Sequence, residues 1–283
     1  MLAANGASDR IALMGVLNAT PDSFSDGGVY ASPNAAAERV QQILDQGADI
    51  IDIGGESTRP GAESVPAREQ IRRVSAALGY SVGQGAVVSI DTTSPEVADF
   101  ALGQGAQIVN DVSCLADPEL ADVVARRQAT LIIMHSRGPM SQMAGFSEYP
   151  EDGYADVVRD VADEWRKARD IAIKRGVDPR RVWFDPGIGF AKNATQSVAL
   201  LSRLDEFQEL QAVTVVGPSR KSFIAALDGA PPAERLGGTI AACLGAAARG
   251  AQVLRVHDVL AIRQALDVRR AIDQGTMEDK LRA

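Results

Sequence analysis

The chain has 283 residues, 46% hydrophobic and 23% charged, with 29 basic against 37 acidic side chains and a net charge of −8. That is an ordinary balance for a folded globular protein, and the acidic excess, with no arginine-rich run or interleaved aromatic stripe, argues against a nucleic-acid binder. No run approaches the ~20 apolar residues of a membrane span, and the N-terminal MLAANGASDR has no apolar signal core.

In chain order, short apolar runs near 11–17, 50–53, 86–90, 107–110, 130–134, 182–185, 213–216 and 252–255 alternate with amphipathic helix patterns. Residues 33–46 carry a clear helix signal: Ser32 can cap, Pro33 suits the first turn, Ala36, Val40, Ile43 and Leu44 share a face, and Gly47 terminates. Ser94-Pro95 and Asp117-Pro118 repeat the start signal. A surface loop at 138–150 precedes a long helix pattern over 151–175, with Val157, Val158, Val161, Ala162, Trp165, Ala168 and Ile171 on its apolar face.

Runs such as VVSI and TLIIM are too apolar for a sheet with one wet face, so the strands predict a buried parallel sheet. An open doubly wound sheet shares the alternation but needs fewer strands, and no GxGxxG follows the first one. Eight strand–helix units without an internal linker predict one α/β domain over 11–275, a (β/α)8 TIM barrel, with tails at 1–10 and 276–283. Cys114 and Cys243 lie far apart without metal spacing, which fits a reduced, cytoplasmic protein.

The apolar runs end in polar residues that suit a core poorly: Asn18, Asp52, Asp91, Asn110-Asp111, Asp185, and Arg255 with His257 two residues on. A lone strand-end Asp is usually a helix cap, but a barrel gathers all these ends on one face, where active sites lie. Residues 217–223, GPSRKSF, are expected to open a helix after the seventh strand, so that free N–H groups, Arg220 and Lys221 form an anion-binding corner. It is not a Walker A loop. Arg255 is suited to holding a phosphate in bidentate fashion. The carboxylates of Asp91 and Asp185 can accept the donors of a guanidine-like heterocycle edge and favour a nearby cation, while Asn110 offers both donor and acceptor. The segments 18–28 and 54–62, with Asp22, Asp26 and Arg59, read as mobile lids. Neither histidine has a Ser or Cys partner at a recognised spacing, and no HExxH or paired-Cys motif predicts zinc.

In order along the chain, GVLNATPDSFSDGG at 15–28, DIGGESTRPGA at 52–62, SIDT at 89–92, ND at 110–111, DPGIGFAK at 185–192, SRKSF at 219–223 and RVHDV at 255–259 closely resemble dihydropteroate synthases. The resemblance implies a TIM barrel that joins 6-hydroxymethyl-7,8-dihydropterin pyrophosphate to p-aminobenzoate along an SN1-like path, a sulfonamide target and a homodimer. It places the pterin against Asp91, Asn110, Asp185 and Lys221, with Asp91, Asp185 and Lys221 catalytic. It places pyrophosphate against Asn18, Arg59, Arg255 and His257, with Mg²⁺ on Asn18. It builds the p-aminobenzoate pocket from Thr58, Arg59, Pro60, Phe190, Ser219 and Lys221, the carboxylate meeting the helix start at Ser219.

Cys114-Leu115, Ser136-Arg137 and Pro218 depart from the family's commonest pattern. Two alternatives stand beside this reading. A methyltetrahydrofolate-dependent methyltransferase would share the Asp and Asn contacts but has no need of SRKSF, RVH or TRPGA. A catalytically silent pterin-binding homologue would not need its polar set intact. The homodimer that the resemblance implies is expected to form through the C-terminal helices, whose apolar positions Ile262, Leu266 and Val268 could equally pack on the barrel.

Overall fold

A computed structural model describes residues 10–19, 33–56, 65–138 and 148–276. Its eight parallel strands are β1 (Ala12–Asn18), β2 (Ile50–Gly54), β3 (Val87–Asp91), β4 (Ile108–Asp111), β5 (Thr130–Met134), β6 (Val182–Asp185), β7 (Val215–Val216) and β8 (Val253–Val256). They form one sheet in the order β6-β5-β4-β3-β2-β1-β8-β7. A parallel bridge between Phe184 and Thr214, with the Phe184 N–H on the Val213 carbonyl at 2.8 Å, closes it into a barrel. The expected (β/α)8 architecture is therefore present.

Alternate strand residues face opposite sides, and the packing separates the two faces. Ala12, Met14, Ile50, Ile108, Ile132, Trp183, Val215 and Val253 form one cluster that fills the barrel. Residues of the other parity, such as Leu13, Ile51, Ile90, Val109, Ile133, Phe184 and Leu254, pack in a larger cluster with the surrounding helices. Continuing the inward parity toward the C-terminal ends gives Asn18, Asp52, Asp91, Asn110, Met134, Asp185, Arg255 and His257. The polar set thus lies on the face that lines the barrel, toward the C-terminal ends of the strands.

Five strands, β1 to β4 and β8, run one residue further than the apolar pattern indicates, and in β1, β3 and β4 the added residue is polar, because the ladder continues: Asn18 pairs with Gly54, Asp91 with Asn110, and Asp111 with Ile133. The seventh strand is shorter than 213–216, only Val215–Val216. Gly217-Pro218 follow, and proline cannot donate to a ladder.

Around the barrel run α1 (Pro33–Asp45), α2 (Ala67–Gly83), α3 (Pro95–Gly103), α4 (Glu119–Arg127), α5 (Val157–Lys174), α6 (Ala194–Ser202), α7 (Ser222–Asp228), α8 (Leu236–Ala247) and α9 (Val259–Gln274). Ser94 caps α3 through the Val97 N–H, and Asp117 accepts the Glu119 N–H at the start of α4. Ser32 lies outside the described residues.

The helix expected over 151–175 is two pieces. A 3-10 turn spans Glu151–Gly153, and α5 begins only after Asp156, whose carboxylate accepts the Val158 and Arg159 N–H groups. Ile171, expected on the buried face, is 40% exposed. The 3.6-residue period carries the stripe from Ala168 to Ala172, which is buried. Two helices, α7 and α8, rather than one separate β7 from β8.

Candidate active site

Three carboxylates, Asp52, Asp91 and Asp185, meet Arg255, Lys221 and the imidazole of His257 at the barrel mouth. Arg255 sits level with Met14 in the ladder between β1 and β8 and extends toward the strand ends. Its Nε donates to Asp52 Oδ2 at 2.7 Å and an Nη to Asp91 Oδ2 at 2.6 Å. The Asn110 side-chain amide donates to the same Asp52 oxygen at 3.3 Å. Asp52 is fully buried, and Asp91 and Asn110 nearly so. Burial pushes the Asp91 carboxyl up to about 7, with Arg255 pulling it down and Asp52 pushing it further up. Burial works against the Arg255 charge, yet Asp52 and Asp91 hold the guanidinium above its ordinary value.

On the opposite wall, Asp185 accepts the Gly187 N–H at 2.7 Å. Burial raises its carboxyl, opposed by that hydrogen bond and by Lys221, Arg255 and Lys192. The chain after Asp185 turns tightly. Gly187 has φ 66°, and a Cβ there would lie 2.0 Å from the His135 carbonyl, so only glycine fits.

Lys221 Nζ donates to the Ile188 carbonyl at 2.5 Å and sits 3.8 Å from the centre of the Phe190 ring, a cation–π contact. Burial lowers its ammonium to about 7, with Asp185 opposing. Phe190, Val112 and Met134 make a small apolar cluster at the mouth.

His257 lies beyond the end of β8. Its N–H donates to Ser219 Oγ at 3.3 Å, and the same oxygen is 3.1 Å from Nδ1. Burial first, then Arg255 and Arg220, lower its imidazole to about 4, so the ring is neutral at neutral pH. With Ser219 donating its hydroxyl proton to Nδ1, the ring proton falls on Nε2.

The expected anion corner takes a different form. Arg220 does not share the mouth with Lys221; its Nε and an Nη bind the two oxygens of Asp258 at 2.8 and 2.5 Å. Its φ of 58° is left-handed, which keeps the chain out of a helix until Ser222. Ser219 is therefore not at the helix start. It lies three residues before α7, bonded to His257.

The structure brings together Asn18, Asp91, Asn110, Asp185, Phe190, Ser219, Lys221, Arg255 and His257 around one mouth. Thr58, Arg59 and Pro60, most of both expected lids including Asp22 and Asp26, and most of the 138–150 loop lie outside the described residues. Asp111, adjacent to Asn110, faces away. Its carboxylate accepts Ser113 Oγ at 2.5 Å and the N–H groups of Ser113 and Leu115 at 3.1 and 2.6 Å. It pins a turn in which Cys114 and Leu115 both have positive φ, 59° and 57°, where the family pattern favours small residues.

Sequence reasoning left out a second buried network behind Asp185. Lys192 is 0% exposed, and its Nζ lies 2.9 Å from His135 Nδ1, 2.9 Å from the Phe190 carbonyl and 3.3 Å from the His135 carbonyl. His135 Nε2 is 3.0 Å from Glu164, which Arg137 also binds. The Arg137 departure thus completes this network. Burial lowers His135 to about 4 and Lys192 to about 7, and the His135 and Arg137 contacts hold Glu164 down to about 2. A neutral His135 that donates Nε2–H to Glu164 and accepts at Nδ1 requires Lys192 as the donor. The signal available was Lys192 itself, one of five lysines, within DPGIGFAK.

The model of the pterin binding enzyme family matches residues 14–257. The chain is 43% identical over 268 residues to the dihydropteroate synthase of Synechocystis sp., covering 93% of this chain and 90% of that protein. It is similar to the solved structure of Xanthomonas albilineans dihydropteroate synthase with 4-aminobenzoic acid, with a TM-score of 0.86, 41% identity and 94% of each chain covered. The Xanthomonas albilineans enzyme in complex with 7,8-dihydropteroate gives a TM-score of 0.82 and 38% identity, again over 94% of each chain.

Proposed function

The chain belongs to the dihydropteroate synthase family of pterin binding enzymes, and from that premise we propose how its own residues carry the reaction. The protein condenses 6-hydroxymethyl-7,8-dihydropterin pyrophosphate with p-aminobenzoate to 7,8-dihydropteroate and pyrophosphate in folate biosynthesis. One observation carries the site assignment: Asn18, Asp91, Asn110, Asp185, Arg255 and His257 all continue the inward parity of the barrel filling at its C-terminal end.

The pterin seats on Asp91, Asn110 and Asp185, which accept its N–H edge, and on Lys221, which donates to it. The diphosphate lies toward Asn18, Arg255 and His257, with Arg59 as a further cationic partner. As the exocyclic carbon–oxygen bond breaks, the electron pair leaves on the diphosphate and positive charge grows on the pterin methylene. The buried Asp185 carboxylate stabilises that charge in low dielectric. The p-aminobenzoate nitrogen then bonds to the carbon and loses a proton. Phe190, Ser219 and Lys221, with Thr58, Arg59 and Pro60, form its pocket. Its carboxylate faces the 219–221 turn rather than a helix terminus.

Mg²⁺ fits these residues as a partner of the diphosphate. No group of three His, Cys, Asp or Glu among the described residues is placed to hold a metal alone. Asn18 offers one amide oxygen, and an added Cβ on Gly54 would lie 3.8 Å from it, so glycine leaves room there. A single protein oxygen suits an ion that keeps its waters and binds substrate phosphates. When bound, Mg²⁺ offsets the charge of the leaving pyrophosphate.

The homodimer reading rests on α9. Of the positions expected to face a partner, Ile262 is buried and Leu266 packs partly on the core, whereas Val268 is exposed together with Leu260 and Ile272. These last three are the candidate contacts. The cytoplasmic reading is supported by the free thiols of Cys114 and Cys243. No helix among the described residues is long and apolar enough to cross a membrane.

Purified protein with Mg²⁺ and both substrates is expected to yield dihydropteroate by mass detection. Pterin binding without product would establish the silent homologue instead. Methyl transfer to a corrinoid would establish the methyltransferase.

A further inference from the structure

The geometry points to Asp52 as a positioning residue that fixes what the pterin pocket reads and ties the pterin end of the site to the diphosphate end. This rests on the synthase reading above and adds a residue to it. Asp52 is fully buried, and Oδ2 is the oxygen that works: it accepts Arg255 Nε at 2.7 Å and Asn110 Nδ2 at 3.3 Å. Among the described residues its Oδ1 is buried without a hydrogen-bond partner. A carboxylate in that state is costly as a structural element. Its neighbours explain what it does.

A side-chain amide has a donor end and an acceptor end, and which end faces inward decides which ligands fit. The Asp52 carboxylate can only accept, so Asn110 must turn its nitrogen toward Asp52 and present its carbonyl oxygen to the ligand. Asn110 Oδ1 then joins the carboxylates of Asp91 and Asp185 as a third acceptor. The pocket selects a heterocycle whose edge carries several N–H donors. The same Asp52 oxygen anchors Arg255, whose other arm holds Asp91 at 2.6 Å. One carboxylate therefore sets the orientation of a pterin contact and of the diphosphate-binding guanidinium.

The test is a graded set of variants. Asp52→Leu removes the acceptor with little change of size, so Asn110 loses its enforced orientation and Arg255 its anchor. Asp52→Asn can keep an amide oxygen in the place of Oδ2, where it accepts both donors, and so holds Asn110 and Arg255 as they are. Asn110→Asp sets two carboxylates against each other. Binding of 6-hydroxymethylpterin is read by calorimetry, and KM is read for each substrate.

Asp52→Leu and Asn110→Asp are each expected to weaken pterin binding by about tenfold or more, the equivalent of ~1.4 kcal/mol. The KM for p-aminobenzoate should stay within about twofold, and the conservative Asp52→Asn should keep most of the pterin affinity. A purely structural Asp52 would show no such split between substrates. Wild-type affinity in Asp52→Leu, or a loss in Asp52→Asn as large as in Asp52→Leu, would overturn the proposal. If Asp52→Leu does not fold, Asp52→Ser, too short to reach either donor, takes its place with the same expected losses. A wild-type protein that binds no pterin would instead count against the synthase site itself.

Discussion

Asp185→Asn separates binding from chemistry. The substitution keeps the side-chain shape, and the amide oxygen can still accept the Gly187 N–H now held at 2.7 Å. What disappears is one unit of negative charge in a buried wall. A unit charge about 4 Å from a developing cation, at an effective dielectric near 20, gains ~4 kcal/mol, which corresponds to about a thousandfold in rate. The ground-state pterin is neutral, so it loses only the charge-assisted part of a hydrogen bond, about tenfold in affinity. Turnover measured at saturating substrates should therefore fall roughly a thousandfold, while the dissociation constant for the pterin, measured separately by calorimetry, rises about tenfold. Equal losses in turnover and binding would refute the assignment of Asp185 to cation stabilisation.

Arg255→Ala should weaken inorganic pyrophosphate binding by about tenfold or more and, by leaving buried Asp52 and Asp91 unpaired, cost roughly 3 kcal/mol of stability; calorimetry and urea unfolding read the two effects. The pH dependence follows from two opposed shifts. Asp91, raised to about 7, gains a proton as pH falls through that value, and Lys221, lowered to about 7, loses one as pH rises through it. A profile of kcat/KM for the pterin substrate should therefore peak near neutrality and fall on both sides, and a flat profile from pH 5 to 9 would contradict it. Lys192→Met leaves the His135 ring nitrogen and two carbonyls unpaired behind the Phe190 loop, a cost of ~2–3 kcal/mol in urea unfolding. It should raise KM for p-aminobenzoate more than for the pterin substrate.

The barrel was legible because its evidence is periodic. Each apolar run is bounded by turn signals, and strand parity follows from the two-residue repeat, so Asn18, Asp91, Asn110, Asp185 and Arg255 could be placed on one rim from spacing alone. Sequence spacing does not report side-chain reach or backbone sign. Arg220 and Lys221 are neighbours in sequence, yet the left-handed Arg220 sends one to Asp258 and the other into the site. Nor does it report contacts between distant segments. Lys192, His135 and Glu164 come from three separate stretches, and only the fold shows that each satisfies the next. Asp52 was visible as a strand end, but its bond to Arg255 spans 203 residues of sequence.

The central claim is that the inward ring at the barrel mouth holds the reacting substrate, and a crystal structure of the protein with pterin pyrophosphate and Mg²⁺ tests it most directly. The account predicts the pterin edge within hydrogen-bond distance of Asp91, Asn110 and Asp185, with the diphosphate against Asn18, Arg255 and His257. Substrate bound elsewhere, or bound in the mouth with its diphosphate turned away from Arg255, would contradict it.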